Sequence, residues 1–162
     1  MMIRLASLDD AEAIAKVHVT SWMETYRGLI PQNYLANLSI ADRLAMWTSA
    51  IENRQSIWVA EHEQRIIGFA TGGKNRTPNS RYPGELYALY LLVEFHRRGV
   101  GLLLLDKVRS ELRNLQLSPF VIWVMKDNPA LHFYTRMGAQ LIGEQDLNFD
   151  GLTVREVELL CE

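Results

Sequence analysis

Residues 85–101 read ELYALYLLVEFHRRGVG. The first nine, Glu85–Val93, are almost wholly apolar, and runs of this kind are usually buried on both faces of a sheet. Gly99, Val100 and Gly101 break the strand pattern. Leu102 to Leu105, Val108, Leu112 and Leu115 then follow at helical spacing, with Pro119 beyond the end. Phe120–Met125 is a second buried run. Strand, helix and strand in this order place Glu85–Val93 and Phe120–Met125 side by side in parallel.

Outward from this unit the pattern is antiparallel. Toward the N-terminus, Ile3–Leu5 reads as a short strand. Ser7-Leu8-Asp9-Asp10 has the form of a capping box, and the helix it opens carries Ile14, His18, Trp22 and Tyr26 on one stripe until Gly28 and Pro31 end it. Ser39–Asp42 repeats the capping form before a helix through Leu44 and Trp47 to Ile51. Ser56–Glu61 and Ile66–Gly73 are strands joined by a turn at Gln64-Arg65, and Lys74–Gly84 is a surface loop. Toward the C-terminus, Asn128-Pro129 suits a helix start and Gly138 its end. Ala139–Gly143 and Leu152–Leu160 close the chain as strands joined through Asp150-Gly151. The expected fold is a mixed, mostly antiparallel α/β sheet of about seven strands with one parallel pair and helices on both faces.

The chain has 162 residues, which suits one domain spanning 1–162. A formal net charge of -2 implies no strongly basic face, so nucleic acid is a poor partner. No apolar run reaches the ~18 residues of a membrane span. Asp9, Asp10 and Glu12 stand where a secretory leader would be apolar, so a cytoplasmic location is expected. Cys161 is the one cysteine. It excludes an internal disulfide, and no placed base stands beside it to make it a nucleophile. His18, His62, His96 and His132 show no metal-ligand spacing, and no metal is expected.

The sharpest chemical signal is His96-Arg97-Arg98-Gly99-Val100-Gly101. Amides at a helix start lack intrahelical acceptors, the helix dipole adds positive charge, and glycine lets a diphosphate approach closely. Arg97 and Arg98 add fixed charge. No Gly-Lys-Ser/Thr follows, so this is not a P-loop. Leu104 stands where a dinucleotide fingerprint has its third glycine, so ATP and NAD are poor ligands.

Glu85–Gly101 resembles motif A of the GCN5-related N-acetyltransferases, with core Gln/Arg-x-x-Gly-x-Gly/Ala. Asn128–Ala139, read as NPALHFYTRMGA, resembles motif B of the same family, at the family's usual separation. Trp22–Pro31 is similar to the N-terminal segment of many bacterial members. His96 departs from the usual Gln or Arg, Val93 from a common proline, and Ala139 from a common Phe.

The resemblance implies the acyl-CoA N-acyltransferase fold, with its parallel pair splayed, and acetyl-CoA as cosubstrate. It gives the backbones of Leu91 and Val93 to the pantetheine arm. It gives the amides of Arg97, Arg98, Gly99, Val100, Gly101 and Leu102 to the pyrophosphate. The Asn128 side chain would bind the arm near its thiol end, and Tyr134 would protonate the leaving thiolate. A phenol of pKa ~10 can donate a proton at neutral pH, as that role requires. Glu85, at the start of the central strand, is the candidate base; strand alternation puts it on the face of Tyr87, Leu89 and Leu91. Trp22 and Tyr26 are candidates for the acceptor pocket, while Ile14 and His18 read as core.

The expected activity is acetyl transfer to a primary amine of a small molecule or peptide by direct attack on the thioester. The alternative is a non-catalytic CoA-binding sensor or partner subunit of the same fold. Keeping both Asn128 and Tyr134 favours the enzyme. Lys74, Arg76 and Arg81 read as a solvated loop cluster. Similar proteins are often dimers, and a homodimer is the expectation that the resemblance gives.

Overall fold

The computed structural model describes residues 1–162. One sheet contains, in spatial order, β1 (Met2–Leu5), β2 (Ile57–His62), β3 (Arg65–Lys74), β4 (Gly84–Leu91), β5 (Phe120–Met125), β7 (Leu152–Cys161) and β6 (Gln140–Phe149). β4 and β5 form the one parallel pair; all other neighbours are antiparallel. This is the expected seven-stranded mixed architecture.

Helices α1 (Ala11–Tyr26), α2 (Gln32–Ala36) and α3 (Ile40–Glu52) cover one face. α4 (Val100–Asn114) and α5 (Ala130–Arg136) cover the other. Opposite faces of β3 and β4 show the division. Phe69 and Tyr90 pack on His18 of α1, while Gly72 abuts Val108 of α4 and Leu89 lies beside Gly101. α4 sinks Val100, Leu104, Leu105, Val108 and Leu112 into the core, each worth about 1.5–3 kcal/mol on full burial.

The capping signals form as expected, with one change. The Ser7 amide donates to Asp10 Oδ2 at 2.7 Å and the Asp10 amide donates to the Ser7 carbonyl at 3.1 Å. The first turn, Leu8–Asp10, is a 3-10 turn, and α1 proper starts at Ala11. Ser39 caps α3 through the Asp42 amide at 3.1 Å. α2 was not expected: it is a single turn too short for a helical period to register, and it buries Leu35.

Three boundaries move. The β2–β3 turn falls on Glu63 and Gln64, with φ 50° and 63°, and Arg65 pairs with His62. A two-residue hairpin turn of this hand needs positive φ at both positions. β6 extends to Phe149 rather than Gly143. Its polar residues hid a ladder held by cross-strand pairs, such as Arg155 to Asp146 at 2.9 Å and Gln145 to Glu156 at 2.8 Å. β4 ends at Leu91, and Val93–Phe95 form a 3-10 turn.

A bulge in β4 matters more. Thr71 pairs with Ala88 but Gly72 pairs with Leu86, so Tyr87 is an extra residue. The bulge resets the alternation. Leu86, opposite Gly72, takes the α4 face that Leu89 also uses. Glu85 therefore lies on the α1 face, and its expected place beside Leu89 and Leu91 is corrected.

Candidate active site

β4 and β5 pair only from Gly84–Phe120 to Leu86–Ile122. Beyond that they diverge, and the β4 edge from Tyr87 to Leu91 has no partner on the β5 side. The chain then passes through the 3-10 turn into residues 96–99. Arg97 and Gly99 take positive φ, 59° and 79°. Successive amides in such a turn converge on one point. None of the N–H groups of residues 97–102 has an acceptor within the protein; the first helical donor is the Leu103 amide, to the Gly99 carbonyl at 3.1 Å. Gly99 is required by its φ. Gly101 is not required by packing, since a Cβ there would sit at an ordinary 3.6 Å from Phe133. A glycine that costs helix stability of about 1 kcal/mol without easing a clash points to a ligand that comes close to the backbone. A diphosphate suits this concavity, with Arg97 and Arg98 both exposed at its rim.

The strand end preceding the turn is differently placed. The Leu91 carbonyl lies 2.8 Å from His96 Nε2, and the Val93 amide donates to Glu24 Oε2 of α1 at 3.3 Å.

Asn128 is buried. Its Oδ1 accepts from the Ala130 amide at 2.8 Å and so caps α5, and its Nδ2 donates to the Tyr26 hydroxyl at 3.4 Å. Pro129 precedes the first helical residue instead of occupying it. Gly138, at φ 90°, ends α5 as expected. Tyr134 has a buried ring, but its hydroxyl makes no hydrogen bond in the protein and keeps contact with solvent. Burial, followed by the neighbouring Tyr90, raises its pKa, so the phenol stays protonated at neutral pH. Cys161 lies near Tyr134 as a buried thiol, pushed up to about 11 by its burial. That is no state for a nucleophile.

The aromatic stripe of α1 divides. His18 is core: its Nδ1 accepts from Trp47 Nε1 at 3.1 Å, and it stacks on Tyr90 at 5.0 Å. Burial, then the charge of Arg43, lowers its pKa to about 4, so it is neutral. Trp22 packs edge-on against Tyr26 at 4.7 Å and leaves Nε1 without a hydrogen-bond partner. Tyr26 joins Ile30, Leu35 and Met125 in a second apolar cluster and reaches Asn128 by its hydroxyl. The structure thus brings Trp22, Tyr26 and Asn128 together.

Glu85 is 4% exposed and fully engaged. Its carboxylate accepts from Arg76 Nη2 at 2.6 Å, Arg76 Nε at 3.2 Å and the Arg76 amide at 2.8 Å. Arg76 also stacks on Tyr87 at 4.3 Å. Arg76 is exposed, as expected for the Lys74–Arg76–Arg81 loop cluster, but it also pairs with a buried partner, Glu85. Two further carboxylates lie within electrostatic reach of Glu85: Glu156 and Glu158 of β7. Both titrate above the ordinary range. Burial is the main cause for each, and the charge of Glu85 adds to it; for Glu156 a hydrogen bond from Gln145 opposes the rise. Sequence reading missed Arg76, Glu156, Glu158 and Glu24. Glu156 and Glu158 alternate with Val157 and Leu159, a pattern that any strand with one wet face shows.

Known proteins carry the same plan. The family described as Acetyltransferase (GNAT) family matches residues 17–139. The protein named "Uncharacterized N-acetyltransferase YuaI" of Bacillus subtilis (strain 168) is 37% identical over 158 residues, covering 97% of this chain and 90% of its own length. This chain belongs to the acetyltransferase (GNAT) family. GNAT enzymes are acetyl-CoA-dependent acyltransferases, and the chain is an N-acetyltransferase by that membership. Two solved structures share the fold. PaiA N-acetyltransferase from Thermoplasma acidophilum, in complex with coenzyme A, has TM-score 0.71 at 22% identity over 97% of this chain and 98% of that one. YncA from Salmonella typhimurium, with its cofactor acetyl-CoA, has TM-score 0.78 at 19% identity over 100% of this chain and 93% of that one. The GNAT match spans the open β4 edge, the free amides and Tyr134 together.

Proposed function

We propose that this chain moves the acetyl group of acetyl-CoA to a primary amine of a small molecule or peptide, by direct attack of the amine on the thioester. The observation that carries this reading is the run of acceptor-less amides at 97–102, standing at the end of an unpaired strand edge. In this reading those amides, with Arg97 and Arg98, hold the diphosphate. The Leu91 and Val93 backbones receive the pantetheine arm. Asn128 offers the arm the second proton of its Nδ2. Tyr134 returns a proton to the departing thiolate from a hydroxyl that nothing else in the protein uses. No covalent enzyme intermediate is needed, and much of the rate comes from positioning.

An amine arrives mainly as ammonium, so some group must take its proton before attack. Glu85 belongs to the acidic group that does this. Held by Arg76, it acts through its charge. Glu156, with one hydrogen bond and a raised pKa, is the better proton acceptor of the group. Trp22 and Tyr26 wall the acceptor side. The test is thiol release from acetyl-CoA with purified protein and a panel of polyamines, amino acids and peptides with free N-termini. Release with at least one amine is expected; none from folded protein overturns the reading.

A further inference from the structure

The strand end assigned above to the pantetheine arm is already occupied by two side chains of the protein itself. His96 Nε2 lies 2.8 Å from the Leu91 carbonyl, and Glu24 Oε2 lies 3.3 Å from the Val93 amide. A carbonyl can only accept, so the ring nitrogen facing it carries its proton. An amide of pantetheine would present the same pair of groups: an N–H for Leu91 and a carbonyl oxygen for Val93. The imidazole N–H mimics the first and the carboxylate mimics the second. A proline at position 93, common in similar proteins, would have no N–H to satisfy; Val93 has one, and Glu24 supplies its acceptor.

We propose that Glu24 and His96 are stand-ins for the pantetheine arm, closing the end of β4 in the free protein and competing with CoA for it. The inference rests on the reading of Leu91 and Val93 given above. Both contacts lie in exposed positions, so each side chain can swing out into water and regain hydrogen bonds there. Each contact is then a modest tax on cofactor affinity, roughly three- to tenfold at the usual net worth of a hydrogen bond.

The test is calorimetric titration with CoA of the full chain as wild type, Glu24→Ala, His96→Leu and the double variant, with thermal melts to confirm folding. Each single change should tighten CoA binding by roughly three- to tenfold, and the double change should tighten it further. CoA carries several negative charges, so Glu24→Ala could also act by relieving repulsion. Glu24→Gln separates the two: it loses the charge but keeps an oxygen acceptor, and it should bind CoA like the wild type. Tightening by Glu24→Gln equal to that by Glu24→Ala overturns the stand-in role of Glu24. Unchanged or weaker binding in folded Glu24→Ala and His96→Leu overturns the inference while the proposed function survives. A folded wild type that does not bind CoA overturns both.

Discussion

The two ends of β4 are built on opposite terms. At its N-terminal end Glu85 is buried and its carboxylate takes three hydrogen bonds from Arg76, so the chain satisfies this end by itself. At its C-terminal end the turn leaves the amides of residues 97–102 with no acceptor and holds Arg97 and Gly99 at positive φ. A buried charge must be paired within the fold, whereas exposed backbone donors can wait for an anion. The first end is complete as folded. In the proposed reading the second is completed by the diphosphate of acetyl-CoA.

Between the two ends lies the open edge where the chemistry is proposed, and the largest effect is expected there. Tyr134→Phe should lower kcat by roughly a hundredfold or more while leaving the Kd for CoA unchanged, measured by thiol release and calorimetry. An equal loss of CoA affinity would make Tyr134 a packing residue.

At the C-terminal end, Leu102→Asp places a carboxylate beside the free amides. Acidic residues in a first helical turn do not harm a helix, so the Tm should hold. CoA affinity should fall by roughly ten- to a hundredfold, as for the loss of charge-assisted hydrogen bonds. Unchanged affinity would break the contrast between the ends.

Next in size is a pH effect behind the middle of β4. His18, stacked on Tyr90, has its folded pKa lowered to about 4, below its ordinary value. Its stabilising contribution is therefore complete above about pH 6.5 and is lost as pH falls toward 4, because the unfolded chain takes up the proton first. A loss on the order of 2 kcal/mol between pH 6.5 and 5 is expected in urea melts. His18→Gln, which keeps an acceptor for Trp47, should flatten that slope.

The smallest effect belongs to the N-terminal end. Arg76→Ala leaves the buried Glu85 carboxylate with only the residue 76 amide. The Arg76 side chain is 63% exposed, so water can partly replace it. A cost of about 1 kcal/mol, or roughly 2–4 °C in Tm, is expected, with CoA affinity unchanged.

The same contrast explains what could be read without the structure. The turn at residues 97–102 is a local feature of backbone and glycine, contiguous in sequence, and its amides lack acceptors in the protein. The parallel pair followed from the helix that stands between two buried runs. The face of Glu85 did not follow, because the bulge at Tyr87 is set by pairing with Thr71 and Gly72, fourteen or more residues away. Its partner Arg76 looked like one loop cation among several. Glu156 and Glu158 come from the far end of the chain and reach the site only because β7 lies beside β5. Glu24 and His96 were invisible as caps, since each serves a backbone group outside any sequence pattern.

In the proposed reading the amides of residues 97–102 take the diphosphate of acetyl-CoA. Hydrogen exchange of these six amides, followed residue by residue by NMR without and with saturating acetyl-CoA, tests it most directly. Fast exchange is expected in the free protein and clear protection, with shifted amide resonances, in the complex. Saturation that leaves all six exchanging as before, while protection appears elsewhere, would contradict it.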